Sequence, residues 1–252
     1  MKRIDLLPYA LLLPVMTFVA VQAADSPRIT SITTGAISSV PARDEHAPAS
    51  PATAAAGAED RNPDAADVRR RLQQGERGTY ISEILRQRDS ALARWPERTS
   101  QPVRVWIAAG EGMKDWDPAF ALRVQDAFSE WSNLGIPVRF IFVRDSAEAD
   151  VHVAWLDHFS EPISGKTLWA RDRRWWIVDG NITLALHHNG GEPLDSRAVQ
   201  AIALHEVGHL LGLDHTIDTA NIMTPRVRVR DLSSADRATM KLLYSLPAGS
   251  VK

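Results

Sequence analysis

His205-Glu206-Val207-Gly208-His209-Leu210-Leu211-Gly212-Leu213-Asp214-His215 is the stretch on which the reading of this chain turns. On a helix, residues four apart lie one above the other, so His205 and His209 offer two imidazoles to one ion. Glu206 is one step round, near such an ion without being forced to ligate it. Gly212 is where the helix can stop and the chain bend, because glycine adopts backbone angles that other residues avoid. The bend returns His215 as a third ligand. Three protein ligands with a fourth position open is the pattern of a catalytic zinc site, whereas a structural zinc is closed by four. Such a zinc brings the pKa of its bound water from about 15.7 to near 7. Glu206 is placed to take the proton of that water and pass it to a leaving group. At average residue usage, the two His and the Glu alone arise by accident in on the order of one chain in a hundred. With Gly212 and His215 added, the figure is on the order of one in a hundred thousand.

Composition agrees with a site made only of histidine and carboxylate. The 252 residues contain no Cys, which excludes a disulfide scaffold, a zinc ribbon, an iron–sulfur cluster and a thiol nucleophile. With 29 basic against 31 acidic residues the net charge is −2, so no overall positive field invites nucleic acid. The 44% hydrophobic and 24% charged content suits one substantial soluble domain.

Around the motif the hydrophobic period changes in an ordered way. Val103 to Ile107 reads as a strand, and Asp117-Pro118 opens a helix with apolar residues Phe120, Val124, Ala127, Trp131 and Leu134 on one face until Gly135. Val138 to Val143, Asp150 to Trp155, Thr167 to Ala170 and Asn181 to Leu186 follow as strands. Helices are expected from about Ser196 to Leu211 and from Ser233 to Tyr244, the last opening on a capping-box pattern, Ser233 to Asp236. Strands with one early helix, then helices, give an α+β fold. All eight Trp lie at or after position 95, so the packed core is expected within 100–248.

The N-terminal part is different. Met1-Lys2-Arg3 is basic and Leu6 to Ala24 almost uncharged, with small residues before a cut after Ala23, so 1–23 reads as a signal peptide. An uncleaved anchor is the alternative, as the stretch is close to the roughly 18–20 apolar residues that span a bilayer. In 24–66, 28 of 43 residues are Ala, Pro, Ser, Thr or Gly, with no Leu, Met, Phe, Tyr or Trp, a composition expected of a disordered linker or pro-segment. Residues 67–99 return to helical spacing as a lead-in ending near Trp95-Pro96, its Arg69-Arg70-Arg71 face read as solvated.

These residues resemble the metzincin metalloproteases, which carry HExxHxxGxxH followed by a Met-containing turn, here Asn221-Ile222-Met223-Thr224-Pro225. Within that class the similarity is to matrixins of the bacterial type. It is carried further by Phe128-Ser129-Glu130-Trp131, Ala149-Asp150-Val151 and Leu243-Tyr244, and covers about 100–248. The resemblance implies a zincin/metzincin catalytic domain: a twisted mixed β-sheet with an active-site helix, a backing helix and a C-terminal helix. It implies one catalytic Zn2+ held by His205, His209 and His215, Glu206 as general base and acid, and Met223 as a hydrophobic floor. The activity implied is hydrolysis of peptide bonds by a secreted or periplasmic endopeptidase, monomeric, with polypeptide substrates. The edge strand along which matrixins lay an extended substrate is expected at Asn181 to Leu186, with Ile182, Leu184 and Ala185 in contact. Three departures accompany the likeness. The thiolate latency switch of many matrixins is impossible without Cys. Pro225-Arg226-Val227 replaces the usual Pro-x-Tyr. Residues 156–180 show no clear loop for a second Zn2+ or a Ca2+, for which His152, Asp157, His158, His187 and His188 are the donors available. The competing readings are a catalytically silent zinc- or peptide-binding module of the same fold, and a structural surface protein on a stalk.

Overall fold

A computed structural model describes residues 65–250, so the expected signal peptide at 1–23 and all but the end of the expected linker at 24–66 lie outside the described residues. The elements run α1 (Ala65–Gly75), α2 (Ile81–Gln87), β1 (Ala91–Leu92), β2 (Arg98–Ile107), α3 (Ala119–Ser132) and β3 (Val138–Phe142). They continue with β4 (Val151–Leu156), β5 (Gly165–Arg171), β6 (Ile177–Ala185), α4 (Ser196–Leu210), α5 (Ser234–Ser245) and β7 (Gly249–Ser250).

Five strands form one sheet in the order β3-β2-β4-β6-β5. β2 pairs in parallel with β3 and β4, β4 in parallel with β6, and only β5 runs antiparallel, against β6. Alternation decides which side of the sheet is covered: Val103, Val105, Val151, Val153, Ile182 and Leu184 are all at most 1% exposed. Against that core packs α3, through Phe120, Val124, Ala127, Phe128 and Trp131 at spacings of four and three. Pro118 stands at its N-cap, and Asp117 just ahead supports the turn into the helix, its Oδ1 accepting from the Ala119 amide at 2.8 Å. The Trp131 indole N–H donates to the Leu204 carbonyl at 2.9 Å, fixing α3 to α4. Truncating Trp131 to Ala would cost about 3–5 kcal/mol, the usual figure for deleting a large buried aromatic. Asp195 caps α4 by accepting from the Ala198 amide, and Ser233 and Asp236 complete a capping box on α5.

Two expectations change. β6 is not an edge: it lies between β4 and β5, and Ile182, Leu184 and Ala185 are each 1% exposed, so no added strand can reach them. The antiparallel return of β5 covers its outer side and becomes the edge itself. The core also begins earlier than 100. The lead-in is two helices and a short strand, broken at Gly78 (φ 77°), and its Ile84, Leu92, Ala93 and Trp95 are fully buried in the same cluster as the sheet and α4. β1 pairs with β7, Ala91 with Ser250 and Leu92 with Gly249. Among the described residues no helix is long and apolar enough to cross a membrane.

Candidate metal centre

α4 carries His205 and His209 on one face, as their spacing dictates, and then ends at Leu210. Gly212 bends the chain with φ 103°, and a Cβ there would collide with the carbonyl oxygen of Ala93. Glycine is therefore required twice over, for the left-handed angle and for the close approach of the lead-in. The bend brings His215 back. The three Nε2 atoms lie 3.0 Å (His205–His209), 3.2 Å (His209–His215) and 3.3 Å (His205–His215) apart.

The donor chemistry tests whether a cation fits. His205 Nδ1–H donates to the Ile222 carbonyl at 2.7 Å and His209 Nδ1–H to the Leu213 carbonyl at 3.1 Å. A carbonyl can only accept, so in each neutral ring the proton is on Nδ1 and the Nε2 lone pair is free. Burial pushes the His205 imidazolium pKa down to about 4, against the pull of the Ile222 carbonyl, and lowers His209 still more clearly. His215 is lowered by burial too, with the Asp214 carboxylate opposing. Two lone pairs fixed in this way meet the Nε2 of a third neutral imidazole, His215, at one point, and Zn2+ with nitrogen ligands fits that point. His205, His209 and His215 form the one His/Asp/Glu group among the described residues whose donor atoms gather this closely.

Glu206 lies on the same turn, 5% exposed. Burial raises its pKa to about 7, while a hydrogen bond from Thr167 pulls it down. The Thr167 hydroxyl, on β5, is 2.6 Å from Glu206 Oε2 and 3.0 Å from the Glu206 backbone carbonyl. It has one proton for two acceptors. Facing an ionised Glu206 it donates to the carboxylate; facing a protonated one it turns that proton to the carbonyl and accepts from Oε2–H. The carboxylate also lies against Gly165, in space that any Cβ would fill.

Under the helix, Met223 Sδ lies against Gly208, where a side chain would displace it. The turn that carries Met223 is fixed by the Thr216 amide donating to the Met223 carbonyl at 3.0 Å, and by the Ile222 amide donating to Asp236 Oδ2 at 2.9 Å. Asp236 is fully buried and its other oxygen accepts from the Tyr80 hydroxyl at 2.9 Å. The first histidine is thus backed through the Met turn by the α5 cap, and that cap by the lead-in.

The other candidate donors do not assemble a second centre. His152 Nε2 bonds the Ser146 carbonyl, and His188 Nδ1 lies 3.4 Å from Ser164 Oγ. His187 is paired on both sides: its Nε2–H donates to Asp115 Oδ2 at 2.9 Å, and its Nδ1–H donates to the Asp157 carbonyl at 3.3 Å with Asp157 Oδ1 3.0 Å away as an ion-pair partner. His158 donates to the remaining Asp157 oxygen at 2.6 Å. Trp175 and Trp176 carry the guanidinium groups of Arg171 (3.6 Å) and Arg94 (4.6 Å) over their rings, and act in packing.

Thr167, Tyr80, Asp236 and Arg88 were invisible as site residues in the sequence. The capping-box pattern gave a reason to notice Asp236, but not its second bond. A threonine in a short strand and an arginine ending a seven-residue helix carry no signal of their own.

A mixed sheet over a helix with two histidines, a third histidine after a glycine bend and a methionine turn beneath define the metzincin class. The matrixin model of peptidase family M10 matches residues 113–245, more than half of the chain, and the chain belongs to the matrixin family, a family of zinc metalloendopeptidases. It is 31% identical over 139 residues to Metalloendoproteinase 1-MMP of Arabidopsis thaliana, covering 47% of this chain and 36% of that protein. To Metalloendoproteinase 1 of Glycine max it is 28% identical over 145 residues, covering 55% of this chain and 45% of that protein. The chain thus spans less than half the length of these curated relatives.

Proposed function

We propose that this protein is an exported, monomeric zinc-dependent endopeptidase that cleaves extended polypeptide segments. The single observation that carries the reading is the convergence of three Nε2 lone pairs beside a buried carboxylate whose protonation state a neighbouring hydroxyl can follow. Zinc, when bound by His205, His209 and His215, supplies Lewis acidity for a peptide carbonyl and acidifies water. Glu206 takes a proton from the attacking water and then gives it to the departing amine. Both protonation states of Glu206 leave Thr167 satisfied with no movement of heavy atoms, so the proton is held without reorganising the site. The outer edge of β5 beside Thr167, which pairs with no further strand among the described residues, suits an extended chain added as a further strand, held by main-chain hydrogen bonds. Export rests on the basic, apolar and small-residue succession of residues 1–23.

The test is incubation of the full chain with a broad peptide library, with and without a chelator, reading cleavage positions by mass spectrometry. Internal cleavages that vanish with the chelator are expected. Glu206→Gln should retain zinc while kcat falls by about 10²–10⁴-fold. Stoichiometric zinc with no cleavage of any peptide would instead support the silent binding module.

A further inference from the structure

Beyond the end of α4 the chain runs through 210–215 with its carbonyls facing outward from the helix, and a helix C-terminus leaves such acceptors without intrahelical partners. Each of five carbonyls there is met by a side chain from elsewhere in the chain. The Leu210 carbonyl accepts from the Trp95 indole at 3.0 Å and that of Leu211 from the Tyr244 hydroxyl at 3.1 Å. The Gly212 carbonyl accepts from Arg88 Nη1 at 2.9 Å, Leu213 from Arg88 Nη2 at 3.2 Å, and His215 from Gln87 Nε2 at 3.0 Å. Arg88 Nε completes the set on Asp214 Oδ2 at 2.9 Å. One guanidinium thus grips three consecutive residues immediately before His215, and shares the Leu213 carbonyl with the Nδ1–H of His209.

Arg88 is itself held. Its guanidinium lies 5.2 Å over the Trp169 ring, on β5, and its side chain is 13% exposed. The chain leaves it through two successive non-glycine residues in the left-handed region, Asp89 (φ 50°) and Ser90 (φ 64°), to reach β1. Such angles are unfavourable for residues with a side chain and persist where surrounding contacts over-determine them. Gln87, Arg88, Asp89 and Ser90 precede the matched matrixin region, which starts at residue 113, whereas the loop they hold lies within it.

We propose that Arg88, seconded by Gln87, is a positioning residue for the metal: the lead-in holds the 212–215 loop so that His215 and His209 present their nitrogens to zinc. The proposal rests on the reading of His215 as a zinc ligand. Two effects of Arg88 oppose each other. Its charge disfavours a nearby cation, while its fork fixes two ligands. Asp214 neutralises the charge at 2.9 Å, so the fork dominates.

The test is competition between the zinc-free full chain and a chromophoric chelator of known zinc affinity, together with thermal melts of the zinc-free proteins. Arg88→Ala should weaken zinc binding by about 10–100-fold, the range for residues that orient a metal ligand. Arg88→Lys keeps the charge but cannot span three acceptors, and should also bind zinc more weakly. Gln87→Ala should lose a few-fold, with a zinc-free melting temperature equal to that of the unaltered protein. If Arg88→Ala does not fold, Arg88→Lys and Gln87→Ala decide. Zinc affinity unchanged or tightened in Arg88→Lys and Gln87→Ala overturns the proposal, as does a loss confined to the zinc-free melt. His215→Ala separates the two readings: wild-type affinity in that variant sinks the ligand assignment itself. Loss there with wild-type affinity in the Arg88 and Gln87 variants sinks the positioning role alone.

Discussion

At the end of α4 three imidazoles face one another with no carboxylate between them, whereas just beyond β6 one imidazole, His187, sits between Asp115 and Asp157. Both groups are clusters of metal-capable side chains, and the sequence offers the three histidines of the first and His187 and Asp157 of the second as candidates. Their physical states are opposite. The first leaves lone pairs unshared and, by burial, keeps its rings neutral. In the second every ring proton has an acceptor and the imidazolium is favoured: the Asp115 hydrogen bond, with help from Asp157, holds the His187 pKa above its ordinary value of 6.5. What marks a metal site is therefore convergence of unsatisfied donors, not crowding of histidines and acids.

The contrast can be broken most forcefully at His209. His209→Ala should abolish stoichiometric zinc, read by elemental analysis, and reduce peptide hydrolysis to background; zinc retained at one per chain would contradict the assignment. Next comes zinc itself. Free zinc at about a thousand times its Kd should stabilise the zinc-free protein by roughly 4 kcal/mol, a rise of about 10 °C in Tm for a domain of this size. His187→Asn should show the same rise, and a smaller one would mean that the second cluster takes metal. A subtler probe is Thr167→Val, which leaves the buried Glu206 carboxylate without its hydroxyl partner. A fall of about tenfold in kcat with KM and zinc content unchanged is expected, consistent with about 1–3 kcal/mol for an orphaned buried acceptor. Thr167→Ser should recover most of it.

The smallest effect is the pH dependence of the His187 cluster. A histidine whose folded pKa is raised contributes stability that is full below about 6.5 and is lost as the pH climbs through the folded value. Asp157 is held below its ordinary 3.8 by the hydrogen bond from His158 and by the charge of His187, so its contribution is lost as the pH falls through that lowered value. The difference in Tm between wild type and His187→Asn should therefore be greatest between about pH 4 and 6.5 and shrink toward pH 9. A difference that does not vary with pH would mean that His187 is held neutral.

The residues that do chemistry were the most legible because helical spacing alone stacks His205 over His209 and a glycine alone explains the return to His215. Strand positions were legible for a similar reason: Val103 to Ile107 and Asn181 to Leu186 alternate or run apolar as buried strands must. Strand order was not. Nothing in the residues of 177–185 says that Gly165–Arg171 doubles back to cover them, so the sequence alone puts the edge of the sheet one strand too far inward. Nor could composition reveal the lead-in as part of the core. Its burial depends on Trp95, Ile84 and Leu92 meeting α4 and α5 more than a hundred residues later, and long-range partnership leaves no local period.

The pairing of Ala91 and Leu92 with Ser250 and Gly249 carries a consequence for when the three histidines come together. Closing a segment of that length costs about 4–5 kcal/mol in chain entropy, and contacts of such separation form slowly. During synthesis the lead-in is made before α4 and α5, yet β1 must wait until residues 249–250 have been made before it can pair. Four of the five carbonyls at the end of α4 find their donors only when the lead-in docks. The bends around the three histidines are thus secured by docking rather than by local sequence, so a chain whose lead-in has not yet docked holds its histidines without holding their geometry.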